Sequence, residues 1–435
     1  MTQTIRRQPH FYNFLLVGDK MDLAKKLDAY PKEYWDFSTY RKYSPLVKYP
    51  ATMVAPMQEC IIREVISSDP SIKNVFDPFA GSGTVLIEGK KLGLDVIGFD
   101  INPLAILITR VQLEGIPSNT VDVSIRRLFS RITMLNGNVQ PFSFKNIHKW
   151  FNEDVILSLS VLRQAIIDEP NDTMRRFFWC CFSETVRKFS NTRTSTFKLH
   201  IKEEKQIQET VDESIEFFKE HTIIQARKYA TTDCFSTKIN LQCGDSINLI
   251  DAIEPSSIDL ICTSPPYGDN HTTVTYGQYS ILPILWIDAK DLEIWNEKLI
   301  SSFSSIDSLS LGGHLYSIND DEYADFVVGI SPSKKKKIIA FFRDYELIYK
   351  KLSRILKPGK LMILTLGNRR VDNHEVRFDQ FNDNLAKKYG MELDSTITRN
   401  IIGKRMPSKV SKVENVGAVS SISTEYVKVY RRIIK

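Results

Sequence analysis

The stretch Asn74-Val-Phe-Asp-Pro-Phe-Ala-Gly-Ser-Gly-Thr84 decides the fold: a short apolar run, an acidic stop, a glycine-rich turn, then apolar residues at helical spacing from Val85 to Leu92. That order predicts a strand over Asn74 to Phe76, a tight turn and a helix. Just beyond, Asp95 to Phe99 reads as a second strand ending at Asp100, and Pro103 to Leu113 as a second helix. A β-α-β-α opening predicts a parallel sheet covered by helices.

Working outward, the pattern changes. From Ser118 to about Lys228 the chain reads mostly as helix, with Leu157, Val161, Leu162, Ala165 and Ile166 at helical spacing and the bulky block Phe177-Phe178-Trp179 after them. Strand patterning returns at Lys238 to Cys243, ending in Gly244-Asp245, and at Ile258 to Thr263, ending in Ser264-Pro-Pro-Tyr267. Leu361 to Leu366, after the turn Lys357-Pro-Gly359, and Glu425 to Tyr430 complete the strand candidates. The division that follows is an N-terminal segment with the first part of the sheet over 1–115, a helical insertion over 116–236 and the rest of the sheet over 237–435.

Composition sets the outer limits. With 435 residues, 42% apolar and 25% charged, the chain has the make-up of a globular protein rather than a disordered or fibrous one. No run approaches the roughly 18–20 apolar residues of a membrane helix, and the start lacks a secretory pattern. The expected setting is therefore a reducing cytosol. Six cysteines include no C-x-x-C pair, so neither a metal site nor a disulfide framework is expected. The net charge of +6 is modest, but Lys334 to Lys337 form one basic run and Lys404, Arg405, Lys409 and Lys412 another. Either run suits a nucleic acid or simply water.

In an open parallel sheet, ligands bind beyond the carboxyl ends of the strands. Here those ends carry Asp77 to Thr84, Asp100, Asp245 and Ser264 to Tyr267. The glycine turn begins like G-x-G-x-x-G but has Leu86 at the sixth position, so the dinucleotide fingerprint is incomplete. A P-loop fails too, because five residues separate Gly83 from Gly89 and Lys91 stands where Ser or Thr is required. What remains is a turn that lets backbone approach a ligand, or one that merely packs. Asp100 is placed either to accept hydrogen bonds from both hydroxyls of a ribose or, with Asn102, to cap the helix begun by Pro103. Ser264-Pro-Pro-Tyr267 combines carbonyls freed by two prolines with a flat aromatic face. Such a pairing suits an extruded nucleobase, its amine hydrogens accepted by a carbonyl and a hydroxyl while the ring stacks.

Together, Asp77-Pro-Phe-Ala-Gly-Ser-Gly-Thr84 and Thr263-Ser-Pro-Pro-Tyr267 resemble the S-adenosylmethionine-dependent DNA amino-methyltransferases, which methylate cytosine N4 or adenine N6. The resemblance covers residues 45–115 and 240–430. It implies an α/β fold, a doubly wound, mostly parallel sheet of the class I methyltransferase type with a largely helical insertion. By position it implies S-adenosyl-L-methionine held by Asp77, Phe79, Ala80, Gly81, Gly83 and Thr84, a ribose on Asp100, an adenine beside Asp245, and Ser264, Pro265, Pro266 and Tyr267 as the catalytic group. Tyr49-Pro-Ala-Thr52 loosely resembles the family's upstream cofactor motif. The cofactor half precedes the catalytic half, so target recognition is expected in residues 116–236, with 271–345 competing for that role. Lys404 and Arg405 are expected to reach DNA phosphates.

In this family Ser before Pro-Pro-Tyr accompanies cytosine N4, whereas Asp or Asn there accompanies adenine N6; Ser264 therefore favours cytosine, with adenine as the alternative. A C5-methylating enzyme needs a Pro-Cys nucleophile, and none of the cysteines follows a proline. The implied partner is double-stranded DNA bearing a specific short site, with a cognate restriction endonuclease in a restriction-modification system. Two rivals stand beside this expectation: an RNA or tRNA amino-methyltransferase, and a catalytically silent DNA-binding protein that keeps the fold.

Overall fold

The computed structural model describes residues 22–38, 40, 45–231, 236–267, 275–312, 321–401, 409–413, 417–420 and 424–434. Its centre is a seven-stranded sheet. In chain order the strands are β1 (Asn74–Asp77), β2 (Asp95–Asp100), β3 (Ile239–Cys243), β4 (Ile258–Thr263), β5 (Leu356–Leu366), β6 (Met391–Asn400) and β7 (Thr424–Arg432). Across the sheet they run 6-7-5-4-1-2-3. All neighbours are parallel except β7, which lies antiparallel to both β5 and β6.

Alternation along the strands builds two cores. Val75, Leu260, Ile363 and Val429 point to one face, where they meet Met57, Ile61 and Val65 of α1 (Ala55–Ser68) and Val85 and Leu86 of α2 (Thr84–Lys91). Their neighbours Phe76, Ile261, Leu364 and Tyr430 point to the other face, which is covered by α10 (Pro332–Ile355) and α11 (Phe378–Lys388). With helices on both faces the central strands have no polar side to show, which is why they read as continuous apolar runs.

A third core is helical. It joins α4 (Val121–Leu135), α5 (Glu153–Ile167), α6 (Asp172–Phe189) and α7 (Ser214–Tyr229) to α8 (Tyr276–Trp286) and α9 (Phe303–Leu311). Between β2 and β3 the described residues are largely helical, and α8 and α9, which follow β4, share their core. Between this unit and the sheet lies α3 (Pro103–Glu114), nine of whose twelve residues are buried. Its Ile106 and Leu113 belong to the sheet core, and its Leu104, Leu107, Ile108 and Val111 to the helical one. A helix buried over most of its circumference is what two cores meeting on one element require.

Candidate active site

The polar chemistry gathers where β2, β1 and β4 end. Leaving β1, the chain is first stitched to its neighbour, the Ala80 N–H donating to the Phe99 carbonyl at 2.8 Å. It then bends through Gly81 and Gly83, whose φ angles of +52° and +79° disfavour side-chain-bearing residues. A Cβ on Gly83 would also lie 2.5 Å from Cγ2 of Thr109 on α3. That helix grips the turn: the Thr109 hydroxyl donates to the Gly81 carbonyl at 2.9 Å, and the Gln112 amide to the Ser82 carbonyl at 3.0 Å.

Asp100 grips it from the other side. One carboxylate oxygen accepts the Gly81 N–H at 2.8 Å and the other accepts the Asn102 N–H at 2.8 Å. Burial pushes this carboxyl up to about 6, against the lowering effect of the backbone N–H groups it accepts. The cap of α3 is Asn102, whose Oδ1 accepts the Leu104 N–H at 3.1 Å. Of the two roles open to Asp100 in the sequence, capping therefore falls to its neighbour, and Asp100 faces the glycine turn.

The Asn102 side chain does more. Its amide donates to the Tyr49 hydroxyl at 3.0 Å and to the Ser280 hydroxyl at 2.7 Å, joining the upstream segment, the end of β2 and α8 in one buried network. Tyr49 stacks on Tyr276 with ring centroids 5.8 Å apart and meets Tyr279 edge-on at 5.7 Å. Its ring borders Gly81. The loose motif at Tyr49 thus lies beside the turn.

Asp77, fully buried, connects the two motifs that are remote in sequence. Its Oδ1 accepts the Phe79 N–H at 3.0 Å and the Thr263 hydroxyl at 2.6 Å, while its Oδ2 has no hydrogen-bond partner among the described residues. Burial pushes its carboxyl up to about 7. At the end of β3, Asp245 caps the short helix Ser246–Leu249 by accepting the Ile247 N–H at 2.9 Å, and the Ser246 hydroxyl donates to the Pro78 carbonyl at 2.5 Å. A buried carboxylate oxygen without a partner, a turn open to backbone approach and an acid beside it form a donor-acceptor set that fits S-adenosylmethionine, a cation carrying a ribose.

Beyond β4, the Ser264 hydroxyl donates to the Thr365 carbonyl at 3.1 Å and lies 3.4 Å from the Tyr267 hydroxyl. With its proton on Thr365, Ser264 keeps a lone pair for an incoming amine even if Tyr267 donates to it. Tyr267 is half-buried, edge-on to Phe378 at 6.4 Å, and burial drives its phenol pKa upward, so it remains a neutral aromatic. Pro265 is buried and Pro266 half-buried. Lys404 and Arg405 lie outside the described residues.

Thr109, Gln112, Ser280 and Tyr276 escape a reading of sequence alone. The signal for the first two was present, as polar residues three apart, on one face of a helix whose first two turns are apolar.

A family model described as DNA methylase matches residues 6–110, and one described as D12 class N6 adenine-specific DNA methyltransferase matches residues 60–280. The type II methyltransferase M.MvaI of Kocuria varians is 30% identical over 407 residues, 87% of this chain and 88% of that protein. A tRNA (guanine(10)-N2)-dimethyltransferase of Methanothermobacter thermautotrophicus is 29% identical over 100 residues, 23% of this chain and 29% of its own length. The structure of a putative DNA modification methylase of Thermus thermophilus, complexed with S-adenosyl-L-methionine, is 15% identical with a TM-score of 0.22, covering 44% of this chain and 54% of that one.

Proposed function

The chain belongs to the S-adenosylmethionine-dependent DNA methyltransferases, and from that premise we propose that it transfers a methyl group to the exocyclic amine of one base within a short, specific DNA site. The observation that carries this reading is the hydrogen bond from Thr263 to Asp77, which brings the glycine turn and Ser264-Pro-Pro-Tyr267 to adjacent strand ends.

S-adenosylmethionine, when bound, supplies a methyl group on a sulfonium, activated for attack. The residues that would hold it are Asp77, Phe79 to Gly81, Gly83, Thr84 and Asp100, with Tyr49 beside the turn and Asp245 at the next strand end. The protein's own work lies with the amine. Its lone pair is delocalised into the base ring, so it attacks poorly until its hydrogens are drawn aside. Ser264, oriented by Thr365, and the Pro265 carbonyl accept those hydrogens, and Tyr267 stacks on the ring. Positioning supplies much of the remaining acceleration.

Of the three DNA bases that carry such an amine, adenine and cytosine are the two the family resemblance points to. The comparisons favour adenine N6, because the family model over residues 60–280 is described as N6 adenine-specific. Cytosine N4, expected from Ser264, is the second reading; what supports it is a neutral hydroxyl, rather than an Asp or Asn, ahead of Pro-Pro-Tyr. The type II relative supports a role in a restriction-modification system. Mass spectrometry of nucleosides from DNA incubated with protein and cofactor tests both levels. N6-methyladenine or N4-methylcytosine is expected and distinguishes the bases, whereas C5-methylcytosine or no methylated nucleoside would overturn the amine chemistry.

A further inference from the structure

From Thr185 to Lys202 the chain holds Arg187, Lys188, Arg193, Lys198 and Lys202 and no Asp or Glu, although acids (52) nearly balance bases (58) overall. Arg187 and Lys188 are already engaged, as cations over the rings of Tyr279 at 4.0 Å and Phe217 at 3.7 Å. The remainder forms a closed hairpin. Thr192 and Ile201 bridge antiparallel, the Arg193 N–H donates to the His200 carbonyl at 2.8 Å, and the Lys202 N–H donates to the Asn191 carbonyl at 2.9 Å. Its base is pinned to the helical unit by the Asn191 N–H, which donates to the Trp150 carbonyl at 2.7 Å.

The two sides of this hairpin differ. Inward, Phe197 meets Tyr279 edge-on at 5.8 Å and the Leu199 N–H donates to the Gln278 side chain at 3.0 Å. Those contacts seat it on the first turns of α8, whose Tyr276 stacks on Tyr49 beside the glycine turn. Outward, Arg193, Thr194, Ser195, Lys198 and His200 are exposed. Arg193 reaches Glu203 at 3.8 Å with both side chains well exposed, a pairing too weak to occupy the guanidinium.

We propose that residues 192–201 grip the phosphate backbone of duplex DNA next to the target base, with Arg193 and Lys198 as the phosphate-neutralising residues. The proposal rests on the reading of the chain as a DNA methyltransferase and adds to it the element that holds the duplex against the site. A hairpin fixed by its own backbone bonds presents its cations at little ordering cost, and neutralised phosphates release counterions, so binding becomes salt-dependent.

The test is fluorescence anisotropy of the full chain with a fluorescein-labelled duplex at several salt concentrations, alongside calorimetric titration with S-adenosylmethionine. The variants are the pairs R193E/K198E and R193A/K198A and, as a control, Lys387→Glu at an exposed position of α11, which leads into the edge strand β6. For the charge-reversed pair DNA affinity is expected to fall about tenfold or more near physiological salt, with the slope of log K against log salt shallower by roughly two. The alanine pair should show the same direction with a smaller loss; cofactor affinity in both, and DNA affinity in the control, should stay at the wild-type value. Unchanged DNA affinity and slope in both pairs, with wild type methylating DNA, would overturn the hairpin while leaving the enzymatic reading in place. Wild-type protein that neither binds the duplex nor methylates it would overturn both.

Discussion

Asp77 and Asp100 sit one strand apart yet do different work. Asp77 is fully buried with one oxygen unpartnered, and burial raises its carboxyl to about 7. An unfolded aspartate titrates near 3.9. Between those values the folded state binds the extra proton, so the contribution to stability is complete below about pH 4 and is lost as pH rises through about 7. At about 1.4 kcal/mol per unit this loss is on the order of a few kcal/mol in the cofactor-free protein. Asp77→Asn should flatten the fall in melting temperature between about pH 4 and 7; an equally steep fall in the variant would assign the pH dependence elsewhere. Asp100, by contrast, accepts the backbone N–H of Gly81 in the glycine turn and that of Asn102 at the start of α3. Its loss in Asp100→Ala removes charge-assisted bonds worth about 1.5–3 kcal/mol, and calorimetry should show cofactor affinity reduced roughly tenfold or more. Tyr267→Ala should do the opposite, leaving cofactor affinity near wild type while methyl transfer falls by about one to two orders of magnitude, as loss of about 1–3 kcal/mol of stacking implies. Equal transfer rates for Ala, Phe and Trp at this position would remove Tyr267 from the base pocket.

Among elements, α3 has the most consequence for the site, because it is at once a core helix and the clamp on the glycine turn. Gly83→Ala meets two obstacles, a left-handed backbone that costs about 1–2 kcal/mol and the Thr109 methyl 2.5 Å from the new Cβ. Cofactor affinity should therefore drop more than tenfold in a protein whose far-ultraviolet circular dichroism is unchanged. Adding Thr109→Ser, which keeps the hydroxyl bonded to Gly81 and deletes the methyl, should restore part of that loss. Strictly additive effects of the two changes would place Thr109 out of contact with the turn. The glycine turn was legible because turn chemistry is local: a strand, an acidic stop and two glycines read the same in any surroundings. The Asn102–Tyr49–Ser280 network was not, since its partners stand 53 and 178 residues away and nothing in their spacing pairs them. Strand β6 was illegible for another reason. Its buried positions include Ser395 and Arg399, the latter paired with Glu425 and donating to the Trp35 carbonyl, so the inward face of an edge strand carries too little apolar signal to stand out.

At the scale of the molecule, the sheet and the helical unit are joined rather than appended. The break in strand pattern after Asp100 marks where the helical region begins, but the return of strand pattern at β3 does not end its core, which takes α8 and α9 from beyond β4 and Leu46, Val47 and Tyr49 from before β1. Periodicity reports which residues are buried, not against what, so a unit assembled from three separated stretches cannot be outlined from sequence. This arrangement makes a prediction about cooperativity. Trp286 is fully buried at the end of α8, within 5.4–6.2 Å of the rings of Phe142, Phe144, Phe151 and Phe182. Trp286→Ala should remove about 3–5 kcal/mol. Spread over the unfolding entropy of a chain this long, that lowers the melting temperature by roughly 4–6 °C. Because α3 belongs to both cores, scanning calorimetry should show one transition that shifts as a whole, and saturating S-adenosylmethionine, bound at the sheet, should raise it again in the variant. Two transitions, of which Trp286→Ala moves one and the cofactor the other, would show instead that the cores melt independently and that α3 couples them in space but not in free energy.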